Sequence, residues 1–345
     1  MIKKAENIIV GISIGDLNGI GSEVILKTFE DSRMLELCTP VIFANVKCLS
    51  FAKKNLESKS ILHGIDKLNQ IVLGKINVLN VWQENVEINF GVNDEKVGKF
   101  AIKSFVAATK ALKEGFIDAL VTAPINKYNI QSEEFKFPGH TDYLDQELEG
   151  NALMLMIQDN LRVGLMTDHI ALNEVASHLT EALIVKKIET IKQSLIQDFS
   201  INKPKIAVLG LNPHCGDGGV IGKEDDEIVK PTLKKIFQKG TLVFGPFAAD
   251  GFFGSNQYDK YDAVIAVYHD QGLIPFKTLS FGNGVNYTAG LNKIRTSPDH
   301  GTAYDIAGKG IADYNSFKEA VYLAIDIYNS RNQYAEISQK PLKAK

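Results

Sequence analysis

The strongest constraint on this chain is a rhythm. Short β-rich runs alternate with amphipathic stretches almost from end to end. Ile8–Ile14 reads as a buried strand and Ile20–Phe29 as the helix after it. Further strands are predicted at Val41–Ala44, Ile76–Val81, Ile117–Thr122, Arg162–Met166, Lys205–Leu211, Thr241–Phe244 and Ala263–Val267. Val97, Ala101, Phe105, Ala108 and Leu112 recur at helical spacing, and Gly115 stops that helix. Glu181–Ile196 and Phe317–Tyr328 are read as helices too. Strands that alternate with helices specify an α/β fold with a largely parallel sheet. No stretch rich in Gly, Pro or Ser marks a linker. In a chain of 345 residues that predicts two domains joined by several chain crossovers, not two beads on a string.

Charge and cysteine usage exclude several function classes. Lys and Arg total 38 against 41 Asp and Glu, so no excess of cations exists to neutralise a nucleic-acid backbone. No long uncharged apolar run suits a membrane span. The start, Met1 to Asn7, lacks signal-peptide anatomy. Three scattered cysteines, Cys38, Cys48 and Cys215, do not make a disulfide framework, and a reducing cytoplasm is expected. Residues 331–345 are polar and expected to fray.

Three of the seven histidines stand just beyond predicted strands: Thr167-Asp168-His169, Asn212-Pro213-His214 and Tyr268-His269-Asp270. Ligands of α/β sheets bind beyond the carboxyl ends of strands, and a His₃ set with an open fourth position is a catalytic metal arrangement. Asp168 and Asp270 can orient the imidazoles or add an oxygen ligand. Any one such histidine is as well read as an ordinary polar residue, and the spacings match no short metal motif. The glycines of His214-Cys215-Gly216-Asp217-Gly218-Gly219 allow close backbone approach to a ligand. Cys215 has no second cysteine nearby and reads as a neutral bystander. Gly15-Asp16-Leu17-Asn18-Gly19-Ile20-Gly21 lacks the dinucleotide spacing and reads as a tight strand-to-helix turn. Pro138-Gly139-His140-Thr141 offers an imidazole and a hydroxyl, in a turn that captures phosphate or carboxylate or simply faces solvent. Lys277, Asn286 and Arg295 suit an anionic substrate, or a solvated surface.

These motifs occur together and in order, with Gly245-Pro246-x-x-Ala249-Asp250 and Tyr268-His269-Asp270-Gln271-Gly272 between them. From about Gly11 to Ala312 the chain resembles the 4-hydroxythreonine-4-phosphate dehydrogenase family of pyridoxal phosphate biosynthesis. The resemblance implies an isocitrate/isopropylmalate dehydrogenase-like fold, with two α/β domains flanking an active-site cleft. It implies an NAD-binding domain of 1–127 plus 285–345, and a substrate, metal and dimerisation domain of 128–284. It also implies a homodimer whose active site is shared between subunits, NAD or NADP as cofactor, and one divalent metal ion per site. His169, His214 and His269 become metal ligands, and His140, Thr141, Lys277, Asn286 and Arg295 bind substrate. His300, Gly301 and Asp305, within Asp299–Gly310, resemble the loop that holds the cofactor's adenosine in isopropylmalate dehydrogenases. One departure stands out: Leu17-Asn18 precede Gly19-Ile20-Gly21, where the family commonly has Pro-Ala.

The implied reaction oxidises the C3 hydroxyl of 4-phosphooxy-threonine with hydride transfer to NAD. Decarboxylation of the β-keto acid then gives 3-amino-2-oxopropyl phosphate. Lys277 and Asp270 are the candidate proton acceptors. Imidazole suits zinc or cobalt, while an oxygen-rich substrate can complete a magnesium site. Three other readings stay open: a dehydrogenase of a non-phosphorylated hydroxy acid, a metal-dependent hydrolase, and a non-catalytic protein with a structural metal. The last lacks a fourth closed ligand.

Overall fold

The computed structural model describes residues 7–133 and 135–339. Most of the start read for a leader lies outside the described residues, as does Lys340–Lys345 of the tail expected to fray. The rest of that tail continues the helix Asn315–Ser338. The described strands are β1 (Ile8–Ser13), β2 (Cys38–Ala44), β3 (Leu62–Ile65), β4 (Ile76–Asn80), β5 (Ala119–Thr122), β6 (Gly150–Gln158), β7 (Leu161–Leu165), β8 (Ile206–Leu209), β9 (Val243–Phe247), β10 (Ala263–Ala266), β11 (Val285–Leu291) and β12 (Ile294–Pro298).

The chain divides into two compact units, Met1–Gly150 with Leu291–Tyr328, and Asn151–Gly290 with Asn329–Lys345. The chain passes from one unit to the other after Gly150, Gly290 and Tyr328, whereas the resemblance implies boundaries near 127 and 284. Packing explains the shift. Residues 128–150 stay with the first unit because the helix His140–Glu147 lies on the helix Glu95–Glu114. Phe105 meets the rings of His140 and Tyr143 there, and Lys113 pairs with Glu147 at 3.2 Å. In the second unit Tyr287 of β11 and Arg331 both bond the buried carboxylate of Asp198. That contact draws β11 and the end of the last helix into it.

In the first unit the strand order is β3-β4-β2-β1-β5-β12, and every neighbouring pair is parallel. Strands covered on both faces read as unbroken apolar runs, and β2 is buried along its whole length. The helix Glu95–Glu114 begins where the Asp94 carboxylate accepts the Lys96 N–H, and it ends at Gly115 with φ 79°. Its buried stripe includes Val97, Ala101, Phe105, Ala108 and Leu112, as the spacing predicts.

The second unit has the order β11-β6-β7-β10-β8-β9. β7, β10, β8 and β9 run parallel, and β6 runs antiparallel to β7. Val163, Leu165, Ala207, Leu209, Val264 and Ala266 pack with Phe252 and Phe276 in its core. Among the described residues no helix is long and apolar enough to cross a membrane.

Candidate functional site

In the second unit three adjacent parallel strands, β7, β10 and β8, each lead into one of the three histidines. The arrangement continues past the strand ends. Thr167 donates both its N–H (3.1 Å) and its hydroxyl (2.7 Å) to the Val267 carbonyl. Gln271 accepts the Val267 N–H and donates to the Gly210 carbonyl, both at 2.7 Å, so it ties the exit of β10 to that of β8.

His169 and His269 line one cavity of about 310 Å³ together with Asp168 and Asp270. Their ring centroids are 5.6 Å apart. His269 Nδ1 lies 2.7 Å from Asp270 Oδ1. Carboxylate accepts only, so Nδ1 carries the proton and Nε2 keeps its lone pair. Asp168 meets Lys187 at 3.4 Å through Oδ2, while its buried Oδ1 has no hydrogen-bond partner among the described residues. Two imidazoles and an orphaned carboxylate oxygen on one cavity wall fit a divalent cation in donor chemistry. Among the described residues no three His, Cys, Asp or Glu side chains come together as a metal site.

His214 is carried elsewhere, on an exposed turn after β8. Residues 214 to 218 all have left-handed backbone, with φ from 45° to 82°. Gly216 and Gly218 adopt this freely, whereas His214, Cys215 and Asp217 do so at a cost. The buried Asp225 carboxylate fixes the approach, accepting the N–H groups of Leu211 (2.8 Å) and Asn212 (2.9 Å). Burial pushes the Cys215 thiol up, and Asp225 adds to the shift, which keeps it the neutral bystander expected of a lone cysteine. Lys277 lies two turns beyond His269 on the helix His269–Ser280. Asn286, on β11, presents a buried Oδ1 with no partner among the described residues.

The first unit holds the other anion-binding candidates. Arg295 is 2% exposed on β12. Its guanidinium donates to the Thr122 hydroxyl at 2.6 and 3.1 Å, and to His140 Nδ1 at 3.1 Å. Burial pulls Arg295 down to about 9, so it remains a cation at neutral pH. Burial first, then the Arg295 and Lys127 charges, hold the His140 imidazole well below its ordinary value. Guanidinium only donates, so Nδ1 is the acceptor and the proton sits on Nε2. That Nε2 is shielded and has no partner among the described residues. His140 and Thr141 also open the helix His140–Glu147, which has no side-chain cap among the described residues. A cation, a lone N–H donor and a helix start together suit a phosphate or carboxylate.

The segment after β12 is irregular from Asp299 to Ala312. His300 Nδ1 lies 3.1 Å from the Gly301 carbonyl and donates to it. Its Nε2 is therefore an acceptor, and it is buried without a partner among the described residues. A Cβ on Gly301 would meet nothing within 4 Å, and Asp305 is exposed. An acceptor without a partner suits a ligand that brings a hydroxyl or amino donor.

Comparison with known proteins decides the family. The model of pyridoxal phosphate biosynthetic protein PdxA matches residues 36–324. The chain belongs to the PdxA family. It is 47% identical to a 4-hydroxythreonine-4-phosphate dehydrogenase of Bacteroides thetaiotaomicron, over 97% of this chain and 92% of the relative. It is 41% identical to the protein of that name from a Sulfurihydrogenibium species, over 92% of this chain and 97% of the relative. A crystal structure of 4-hydroxythreonine-4-phosphate dehydrogenase from Klebsiella pneumoniae superposes with a TM-score of 0.80 at 32% identity. The match covers 94% of this chain and 99% of that one. The α/β architecture is thus that of the PdxA family, and the chain is an oxidoreductase of it. Reading the sequence alone missed the joints of the site: Thr122 under Arg295, Gln271 between two strand ends, and Asp225 behind His214. Each is a polar residue whose hydrogen-bond partner lies far off in the sequence, and a linear pattern does not show such a pairing.

Proposed function

We propose that this PdxA-family chain carries out the reaction for which its relatives are named, the NAD-dependent oxidation of 4-hydroxythreonine 4-phosphate. NAD serves as the hydride acceptor, with NADP the alternative, on the His300, Gly301 and Asp305 segment. His169, His214 and His269 hold one divalent cation, whose chemistry is Lewis acidity toward the substrate's hydroxyl oxygen. Zinc, cobalt and magnesium all suit that role, with the substrate's oxygens completing the shell. Arg295, the Nε2 proton of His140, Thr141 and the start of the helix His140–Glu147 bind an anionic group of the substrate. Lys277 and Asn286 serve the same molecule. Asp270 or Lys277 accepts the hydroxyl proton. Loss of hydride from C3 leaves a ketone β to the carboxylate, and the C–C bond electrons pass into it as carbon dioxide departs. Reprotonation gives 3-amino-2-oxopropyl phosphate.

The observation that carries this reading is the buried Arg295–His140 pair, an anion site with a directed donor. The reading also takes the enzyme as a cytoplasmic homodimer. Three unpaired thiols support a reducing compartment. The division of the metal histidines between one cavity and a separate exposed turn supports a site completed by a second copy. The test is an assay of phosphorylated against non-phosphorylated 4-hydroxythreonine on enzyme reconstituted with zinc, cobalt or magnesium. Arg295→Lys, which loses the planar fork, should raise the substrate KM by roughly tenfold or more, the scale of one charge-assisted hydrogen bond. Equal turnover of both substrates, or an unchanged KM in Arg295→Lys, overturns the assignment.

A further inference from the structure

We propose that Asp16 and Asn18, in the turn after β1, are positioning residues for cofactor binding. They hold the 302–312 segment, and the 89–92 turn behind it, at the carboxyl end of the sheet of the first unit. The inference rests on the assignment of the cofactor to the 300–310 segment and goes beyond it, since neither residue belongs to that segment.

Topology supplies the reason for a brace. β1, β5 and β12 are consecutive parallel strands, so the chain leaves all three at the same edge. The exits are the 14–20 turn, the 123–139 loop and the irregular segment from Asp299. An irregular segment has no ladder of its own to fix it, so its position must come from contacts. Left loose, it would lose conformational freedom on binding, and that loss weakens affinity.

One carboxylate joins the three exits. Asp16 is 1% exposed. Its Oδ2 accepts the Tyr304 hydroxyl and the Asn129 amide, both at 2.7 Å, and its Oδ1 accepts the Asn18 N–H at 2.8 Å. Burial, with the Asp16 contact second, raises the Tyr304 phenol, so the hydroxyl stays a donor. The backbone adds a further tie, Ile20 N–H to the Thr302 carbonyl at 3.0 Å. The approach is close enough that a Cβ on Gly19 would stand 2.9 Å from that oxygen.

Asn18 is 1% exposed, and it spends its side chain inside the protein. Its Nδ2 donates to the Val92 carbonyl at 2.8 Å and its Oδ1 accepts the Asn89 N–H at 2.9 Å. The Gly91 N–H reaches its carbonyl at 2.8 Å. The turn so held is the wall behind the segment. A Cβ on Gly91 would come 2.8 Å from the Tyr304 carbonyl oxygen, and one on Gly308 2.7 Å from the Phe90 ring. At the far end Glu23 accepts the Ala312 N–H at 2.7 Å, and Lys27 donates to the carbonyls of Gly310 and Ala312, both at 2.9 Å.

The experiment is a fluorescence titration with NADH, paired with initial-rate kinetics, on the full-length enzyme. Asn18→Ala and Tyr304→Phe are compared with Gly301→Leu, which blocks the proposed site directly. Expected is a rise of about three- to tenfold in the NADH dissociation constant and the cofactor KM of both brace variants, the scale of one or two lost hydrogen bonds. The substrate KM should stay within about twofold. Should Asn18→Ala fail to fold, Tyr304→Phe, which removes a single oxygen, carries the test. If Gly301→Leu weakens NADH binding and the brace variants do not, the brace is refuted and the cofactor assignment stands. If no variant moves NADH binding, the assignment fails and the brace with it. Equal losses in substrate KM, cofactor KM and turnover would mark a general structural role and overturn the proposal.

Discussion

At the scale of single residues, the clearest chemistry is the orientation of His140. Arg295 can only donate, so it makes Nδ1 the acceptor and leaves the Nε2–H as a donor without a partner among the described residues. The same burial that directs the proton makes the pair sensitive to acid. Held below its ordinary value, folded His140 binds fewer protons than it does in the unfolded chain, where it titrates near 6.5. Stability carried by the neutral imidazole is therefore complete above about pH 7. It falls away as pH drops through 6.5 toward the depressed native value. His140→Asn should lose this component. Between pH 7.5 and pH 5.5 the Tm of the wild type should drop further than that of the variant, by differential scanning fluorimetry. Parallel curves for the two proteins would contradict a buried neutral imidazole.

At the scale of elements, the packing of the helix Glu95–Glu114 on the 123–139 loop makes an inverted prediction. Gly to Ala inside a helix ordinarily stabilises by about 1 kcal/mol. Here a Cβ on Gly98 would lie 2.2 Å from the Asn129 carbonyl oxygen and 2.7 Å from its carbon, and backbone cannot swing aside as a side chain can. Gly98→Ala should instead cost about 1–3 kcal/mol, as overpacking does, and lower Tm by about 2–4 °C for each kcal/mol. A stabilised variant would show that the loop yields. The last helix carries a second test. Arg331 donates to buried Asp198 at 2.7 Å, and Tyr287 donates to the same carboxylate at 2.7 Å. Arg331→Met leaves a buried carboxylate without its cation, at about 3–5 kcal/mol, and urea unfolding should read the loss. An unchanged midpoint would mean that Tyr287 and Ser194, whose hydroxyl donates to Asp198 at 2.6 Å, suffice for the carboxylate.

The elements that the sequence made legible are those with an unambiguous period. Val97 to Leu112 repeats at helical spacing, and β1, β2, β5, β7 and β10 are compact apolar runs closed by polar turns. β6 was missed because Ala152 to Ile157 is one apolar run, and period alone does not separate a strand from a buried helix there. β11 and β12 were missed because Asn286 and Arg295 read as substrate residues, although Val285, Tyr287, Ala289 and Leu291 alternate as a strand does. Of the candidate site, the strand-end placement of the three histidines was legible, since each follows its strand within a few residues. The Asp16–Tyr304–Asn129 cluster was not. Its members are far apart in sequence, and only the parallel order β1-β5-β12 brings their loops together.

At the scale of the whole molecule, the candidate site residues are divided between the two units. His140, Thr141 and Arg295 belong to the first unit, and the three histidines with Lys277 and Asn286 belong to the second. Within the second, His169 and His269 share a cavity while His214 stands on its own turn. Large apolar side chains in that unit face solvent, with Phe281 87% and Val220 83% exposed, which suits association with another protein surface. The homodimer proposed above would have each chain offer the same residues to its partner across a two-fold interface. Complementation tests it. His140→Ala and His214→Ala are each expected to be inactive alone. If the two residues of one site come from different chains, a mixed dimer holds one site with both intact and one site with neither. A statistical mixture should then recover about a quarter of wild-type activity, since half the dimers are mixed and each has one working site of two. Sedimentation of differently tagged chains must establish exchange first. With exchange established and no recovery, both residues serve the site of their own chain. Full activity of a species that sediments as a monomer would eliminate the shared site entirely.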